Sequence, residues 1–380
     1  MAVLTRAAAR PHVANTRHTA DDLVPNGGAG LVLDEIDGRR HLRIAPRARL
    51  AKGSVTTGAG ERPGWSDTLD SPVVQTDLPF DTAIPSWNAL TPPGTWLQVE
   101  LRVRLGDGWW TRFYTMAVWA ADSGTVRRHS VDGQDDADAT VATDTLNLRE
   151  GSSGRGFQYR LTLCTVDPEA TPGVRSVSVT TSDSGREAGG GAWTSDRAAW
   201  GTELPVPERS QRVEGDGVGG WCSPTATSMV LAFWGHPVPV RVAAAATYDH
   251  VYGGTGNWAF NTAWAATFGL EAFVTRLGSL VQVERWVLAG VPVIVSLAFG
   301  QGQLPGAPID SSDGHLIVVR GFDAAGDVVV NDPAGLSDSD VRRIYDRRAL
   351  ESLWLRSSGG TVYLIHPPGL AIPGDGSGSW

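Results

Sequence analysis

The chain has 380 residues, a formal net charge of −9 and 41% hydrophobic residues, a length for which two domains with ordinary cores are expected. An acidic chain without a basic patch excludes a nucleic-acid-binding protein as the first reading, and no apolar run is long enough to span a membrane. Two cysteines allow one disulfide, Cys164 to Cys222, and their placement in different predicted domains argues against it.

Residues 1–27 are polar and arginine-containing, with no apolar h-region of a secretory signal. The expectation is a disordered N-terminus, in a protein that is cytoplasmic as written or secreted if the start is truncated. Residues 28–181 then read as one module. Leu31–Leu33 opens it, and Ile84-Pro85-Ser86-Trp87-Asn88 follows a Pro/Asp-rich approach. Leu97, Val99, Leu101, Val103 and Leu105 alternate with Gln98, Glu100, Arg102 and Arg104, a half-buried strand. Gly106-Asp107-Gly108 turns it into aromatic Trp109–Trp119. Phe157, Tyr159, Leu161 and Leu163 form another alternating strand, and Val174, Val177 and Val179 hint at a further one. Repeated strands with Gly/Pro/Asp turns predict an all-β, sandwich-like domain.

Little chemistry is expected in this module. Cys164 reads as a small packing residue. Asp132, Asp135, Asp136 and Asp138, close to His129, are oxygen ligands of the kind calcium takes. They lack the glycine and closing glutamate of an EF-hand loop, so they read as a solvated loop. Neither a metal nor a cofactor is expected. The chain's 15 tryptophans read mainly as core, though exposed ones would make a sugar or partner surface; from its architecture alone, this module is expected to serve non-catalytic binding, to a glycan or cell wall.

Residues 182–203 are Gly/Ser-rich and read as a flexible linker. The second module, residues 204–368, orders its elements differently. Helices are expected at the Cys222 segment, Val240–Asp249, Trp258–Phe268 and Val281–Ala289. Strands follow at Val291–Phe299, Leu316–Phe322, Val328–Asn331 and Thr361–Ile365. Helices before antiparallel strands predict an α+β domain, with residues 369–380 as a flexible tail.

Gly219-Gly220-Trp221-Cys222-Ser223-Pro224 is the stretch that carries chemistry. Ser223 and Pro224 open a helix, Ser223 as a cap and Pro224 in the first turn, with Ala226, Met229, Val230 and Phe233 on one apolar face and Gly235 as its stop. Cys222 would then sit at the positive end of a helix dipole, where free N–H groups stabilise a thiolate. A hairpin turned at Asp323–Gly326 brings His315, at the start of one strand, beside Asp332, at the end of the other. That pairs an imidazole base with a carboxylate that fixes its tautomer. Asn331 is the alternative orienter, since adjacent strand residues face opposite ways. Gln211, eleven positions before Cys222, offers a side-chain amide for an oxyanion.

Gln211, Trp221–Met229, Gly314–Phe322 and Val328–Pro333, in this order, resemble the C39-like cysteine peptidase family, which has a papain-like fold. The first module resembles the β-rich domain that precedes such peptidases in actinobacterial two-domain proteins. The resemblance implies Cys222 as nucleophile, His315 as general base, Asp332 as orienting acid and Gln211 as oxyanion donor, acting on a peptide or protein substrate. The family's transporter-fused members cut leader peptides after double glycine; Trp221 before the cysteine and Ser-Pro after it depart from their motif. The competing reading is a non-catalytic binding protein on a degenerate papain-like scaffold.

Overall fold

The computed structural model describes residues 12–24, 30–46, 53–57, 60–184, 195, 197–214 and 220–374. Half of the expected linker, residues 185–194 and 196, lies outside the described residues, as does the tail beyond residue 374.

The first half contains β1 (His12–Thr19), α1 (Ala20–Leu23), β2 (Leu31–Ile36), β3 (Arg39–Ile44), β4 (Gly53–Thr57), β5 (Gly60–Asp70), β6 (Val74–Phe80), β7 (Thr82–Leu90), β8 (Thr95–Leu105), β9 (Tyr114–Trp119), β10 (Ala139–Ala142), β11 (Thr145–Leu148), β12 (Gly154–Thr165) and β13 (Gly173–Asp183). They build two antiparallel sheets, one ordered β10-β11-β7-β13-β3-β2 with β1 also on β13, the other β4-β5-β12-β8-β9 with β6 also on β12. The alternation in β8 and β12 sorts as expected: Leu97, Val99, Leu101, Val103, Phe157, Leu161 and Leu163 are fully buried. They share one hydrophobic core with Ile84, Trp87, Val177 and Val179 of the other sheet.

Residues 12–24, expected to be disordered, are ordered. His12–Thr19 pairs with β13 along its whole length, because β13 outruns β3, which covers only Gly173 and Val174 on that side. A short alternating segment can then complete a ladder that water would otherwise have to satisfy.

The second half contains α2 (Gln211–Glu214), α3 (Cys222–Phe233), α4 (Val240–Thr247), α5 (Trp258–Ala266), β14 (Glu271–Arg276), α6 (Leu280–Leu288), β15 (Val293–Phe299), β16 (Ser312–Phe322), β17 (Val328–Asn331), β18 (Arg342–Tyr345), α7 (Arg347–Ser358) and β19 (Thr361–His366). Its strands form one antiparallel sheet, β14-β19-β15-β16-β17-β18. Helices α3 and α5 pack on the face carrying Ile294, Leu316, Val318 and Tyr363. Helices α6 and α7 pack on the opposite face, against Val293, Val295, Ile317 and Val319. Leu370 and Ile372, at the start of the expected flexible tail, pack against this second core.

The two halves pack against one another. β7 and β13 are buried on both faces. The polar alternation of β13 is buried too, with Ser176, Ser178, Thr180 and Ser182 no more than 1% exposed, because this face meets the second half. Strand β14 is the edge of its sheet, and its free backbone groups are taken by side chains of the first half. Asn88 accepts from the Ala272 N–H at 3.0 Å and donates to its carbonyl at 2.8 Å. Ser86 Oγ accepts from the Val274 N–H at 3.2 Å, and Thr180 donates to the Val274 carbonyl at 2.8 Å. Arg17 pairs with Glu271. Around this seam Trp87 and Trp119 of the first half stack edge-on and tilted against Phe260 of α5, each buried ring contributing about 2–3 kcal/mol.

Candidate active site

Gly220, at φ +105°, turns the chain into α3 in a conformation that only glycine adopts freely. The Thr255 hydroxyl holds the Gly220 carbonyl at 2.6 Å. Cys222 is the first residue of α3 and Trp221 is its N-cap, without a side-chain cap. Ser223, expected as the cap, lies inside the helix, and its hydroxyl meets the Tyr363 hydroxyl at 2.9 Å. The N-terminus of α3 is thus left uncapped on the side of the thiol. The helix is also buried on almost every side from Cys222 to Leu231, because the sheet, α4 and α5 all pack on it. Gly235, at φ +86°, follows the C-cap Trp234 as expected of a stop.

His315 Nε2 and Asp332 Oδ1 are 2.7 Å apart, with His315 2% exposed and Asp332 0%. Asp332 sits just past β17, where its Oδ1 also accepts from the Ala334 N–H at 2.9 Å and its Oδ2 from the Tyr345 hydroxyl at 2.6 Å. Asn331 faces the other way, as strand alternation requires. It accepts from Arg320 at 2.9 Å and donates to the carbonyls of Val206 and Pro207, so it is not the partner of His315.

Cys222, His315 and Asp332 perturb one another strongly. Burial pushes the Cys222 thiol up, but hydrogen bonding to His315, its positive charge and the N–H groups of Leu316 and Ser223 outweigh burial and lower it. Burial pushes His315 down, and the Asp332 carboxylate outweighs burial and raises it. Burial likewise raises Asp332, and His315, Tyr345 and the Ala334 N–H together lower it. Each of the three shifts favours the charged form of its group: thiolate, imidazolium and carboxylate.

Gln211 begins α2, and its N–H donates to the Pro333 carbonyl at 2.9 Å, which fastens α2 beside Asp332. Its side-chain Oε1 is buried without a hydrogen-bond partner among the described residues, and no hydrogen bond joins it to Cys222. The structure therefore brings three of the four sequence candidates into one chain and sets Gln211 next to its far end. Tyr345 was missed by sequence reasoning; its strand, β18, carries no alternation that marks it.

Cys222 and Leu316 open onto a cleft of about 1520 Å³ that runs between the two halves. Its opposite wall is the β10–β11 hairpin of the first half, whose turn residue Thr143 has φ +57°. Asp144 of that turn accepts from the Trp258 N–H at 2.5 Å, at the start of α5. Burial pushes this carboxyl up to about 6 against the pull of the Trp258 and Ala259 N–H groups and the Thr145 hydroxyl. Within the aspartate run at 132–138, Asp136 takes Arg112 and Tyr114, and Asp135 takes Arg149. Both cysteines are free thiols. Among the described residues no helix is long and apolar enough to cross a membrane.

Two family models match the chain, the Peptidase C39 N-terminal domain over residues 15–182 and the Peptidase C39-like family over residues 203–362. No curated protein matches it. Among solved structures, a double glycine motif protease from an AMS/PCAT transporter, in complex with the leader peptide, is 18% identical, covering 44% of this chain and 94% of its own, with a TM-score of 0.30. A C39-like peptidase from Bacillus anthracis is 17% identical, covering 43% and 96%, with a TM-score of 0.33.

Proposed function

The chain belongs to the C39-like peptidases through residues 203–362, and on that premise we propose that it is a cysteine peptidase working through Cys222, His315 and Asp332. The observation that carries the reading is the buried row of thiol, imidazole and carboxylate at the mouth of a cleft, with the thiol lowered and the imidazole raised. With Nε2 engaged by Asp332, Nδ1 is the nitrogen left to take the thiol proton. The Cys222 thiolate attacks the carbonyl carbon of a peptide bond, and the carbonyl electron pair moves onto oxygen. The Cys222 N–H, at the first position of α3 and free of an intrahelical partner, holds that oxyanion. The tetrahedral species collapses as His315 returns its proton to the leaving amine, giving a thioester. Water then attacks the thioester with His315 as base, releasing the acid and restoring the thiol. Asp332 stays ionised throughout, orienting the ring and stabilising its charge.

The test is thiol labelling beside turnover. Cys222 should react with iodoacetamide near neutral pH far faster than Cys164, and prior labelling should abolish cleavage of a peptide library. Equal, slow labelling of both thiols, or cleavage that survives labelling of Cys222, overturns the reading.

A further inference from the structure

Arg276, at the end of β14, is a cation the mechanism does not use. It is 8% exposed and lines the same cleft as Cys222. Its Nε donates to the Thr361 hydroxyl at 3.3 Å, and its Nη1 to the Thr82 hydroxyl at 2.8 Å and to Ser182. All three partners are neutral, and two belong to the first half of the chain. Among the described residues no carboxylate lies within ion-pair reach of Arg276, and no hydrogen bond runs from Nη2. The nearby carboxylates that favour its charge, Asp81 and Asp144, are engaged elsewhere: Asp81 by the N–H and hydroxyl of Ser184, Asp144 by the Trp258 N–H. Gly359, at φ +64°, closes over the guanidinium, so that a Cβ there would lie 3.3 Å from its Cζ. A buried guanidinium without a carboxylate is rare, because buried charges are ordinarily paired.

Its place in the sheet gives it a distance from the chemistry. Arg276 pairs with Thr361 across β14 and β19. The next strands carry Ser296, one step past the Val295–Val362 pair, and Leu316 opposite Ser296. Arg276, Thr361, Ser296 and Leu316 therefore form a row across the sheet. Three strand spacings of about 4.8 Å put Arg276 about 14 Å from Leu316, the neighbour of His315. An extended peptide advances about 3.3 Å per residue, so that span is about four residues.

We infer that Arg276 is a carboxylate-binding subsite that recognises a peptide acidic group about four residues from the scissile bond, an inference that rests on the peptidase reading. The ligand is a carboxylate of the substrate, either an Asp or Glu side chain or the chain terminus. Nη2 donates to it, and the hydroxyls of Thr82, Ser182 and Thr361 hold the guanidinium in place. The first half of the chain thereby contributes to substrate choice, because without Thr82 and Ser182 the arginine loses two of its three anchors.

The test uses the full chain and decapeptides that carry one Asp at each position in turn, a matched Asn series, and free or amidated C-termini. Wild type should cleave one Asp peptide at least about tenfold better than its Asn partner, with the Asp about four residues from the cut. A preference for free over amidated ends instead assigns the terminal carboxylate. Arg276→Gln should bring paired peptides to within about twofold of each other, and Arg276→Lys should keep part of the preference. Equal cleavage of all pairs by wild type overturns the subsite and needs no variant to fold. The same peptides titrated onto Cys222→Ala, read by tryptophan fluorescence, separate the two proposals. Carboxylate-selective binding without thiol-dependent cleavage sinks the peptidase reading alone. Unselective binding, or none, sinks the subsite.

Discussion

Cys164 and Cys222 are buried to nearly the same degree, 6% and 8% exposed, yet their thiols move in opposite directions. Cys164 packs with Trp96, Ala120 and Val126, and burial alone pushes it up to about 12. Cys222 is buried against His315 and two backbone N–H groups, and these outweigh burial and lower it. Burial sets the scale of an electrostatic effect; the neighbours set its sign.

The strongest way to break that comparison is to delete each sulfur. Cys222→Ala should lower kcat about 10⁴-fold or more in a peptide-cleavage assay, while Cys164→Ala should leave kcat/KM within about twofold. His315→Ala should cost about 10³-fold in kcat. It should also slow iodoacetamide labelling of Cys222 until the two cysteines react alike, as read by mass spectrometry.

The pH profile of kcat/KM sharpens the comparison. Because Cys222 is lowered, the thiolate is already present below the ordinary thiol range, so the acid limb should lie there. Because His315 is raised, the imidazolium persists above its ordinary value, so the alkaline limb should lie above the ordinary imidazole range. Both limbs belong to the coupled pair. Asp332→Asn should cost about 100-fold and draw the alkaline limb down toward that ordinary range. The smallest effect is expected from Tyr345→Phe, which removes one hydrogen bond to Asp332. It should shift the same limb in the same direction by less and lower stability by about 1 kcal/mol in denaturant unfolding.

The residues of the proposed mechanism were legible because local rules carry them. A glycine turn before a Ser-Pro helix start marks Cys222, and a hairpin with a four-residue turn aligns His315 with Asp332. Strand alternation also separates Asp332 from Asn331. Arg276, Asp144 and Tyr345 were not legible, since each gains its position from contacts between elements far apart in sequence. The order β14-β19-β15-β16 sets Arg276 in the row of Leu316, and nothing in residues 270–277 encodes that order. The strand at Val174, Val177 and Val179 was legible, but what its other face meets was not. An alternating Ser/Thr face reads the same whether it meets water or another backbone, and here Thr180 and Ser182 meet β14 and its Arg276.

The capping of β14 by Asn88, Ser86 and Thr180 has a consequence for anyone who would cut the chain in two. Expressed without the first half, residues 204–374 would present a bare sheet edge, with the Ala272 and Val274 backbone groups open to pairing with a second copy. The C39-like half is therefore not a portable part. Its solubility and the shape of its cleft both depend on residues of the first half, from Ser86 and Asn88 through the β10–β11 hairpin to Thr180.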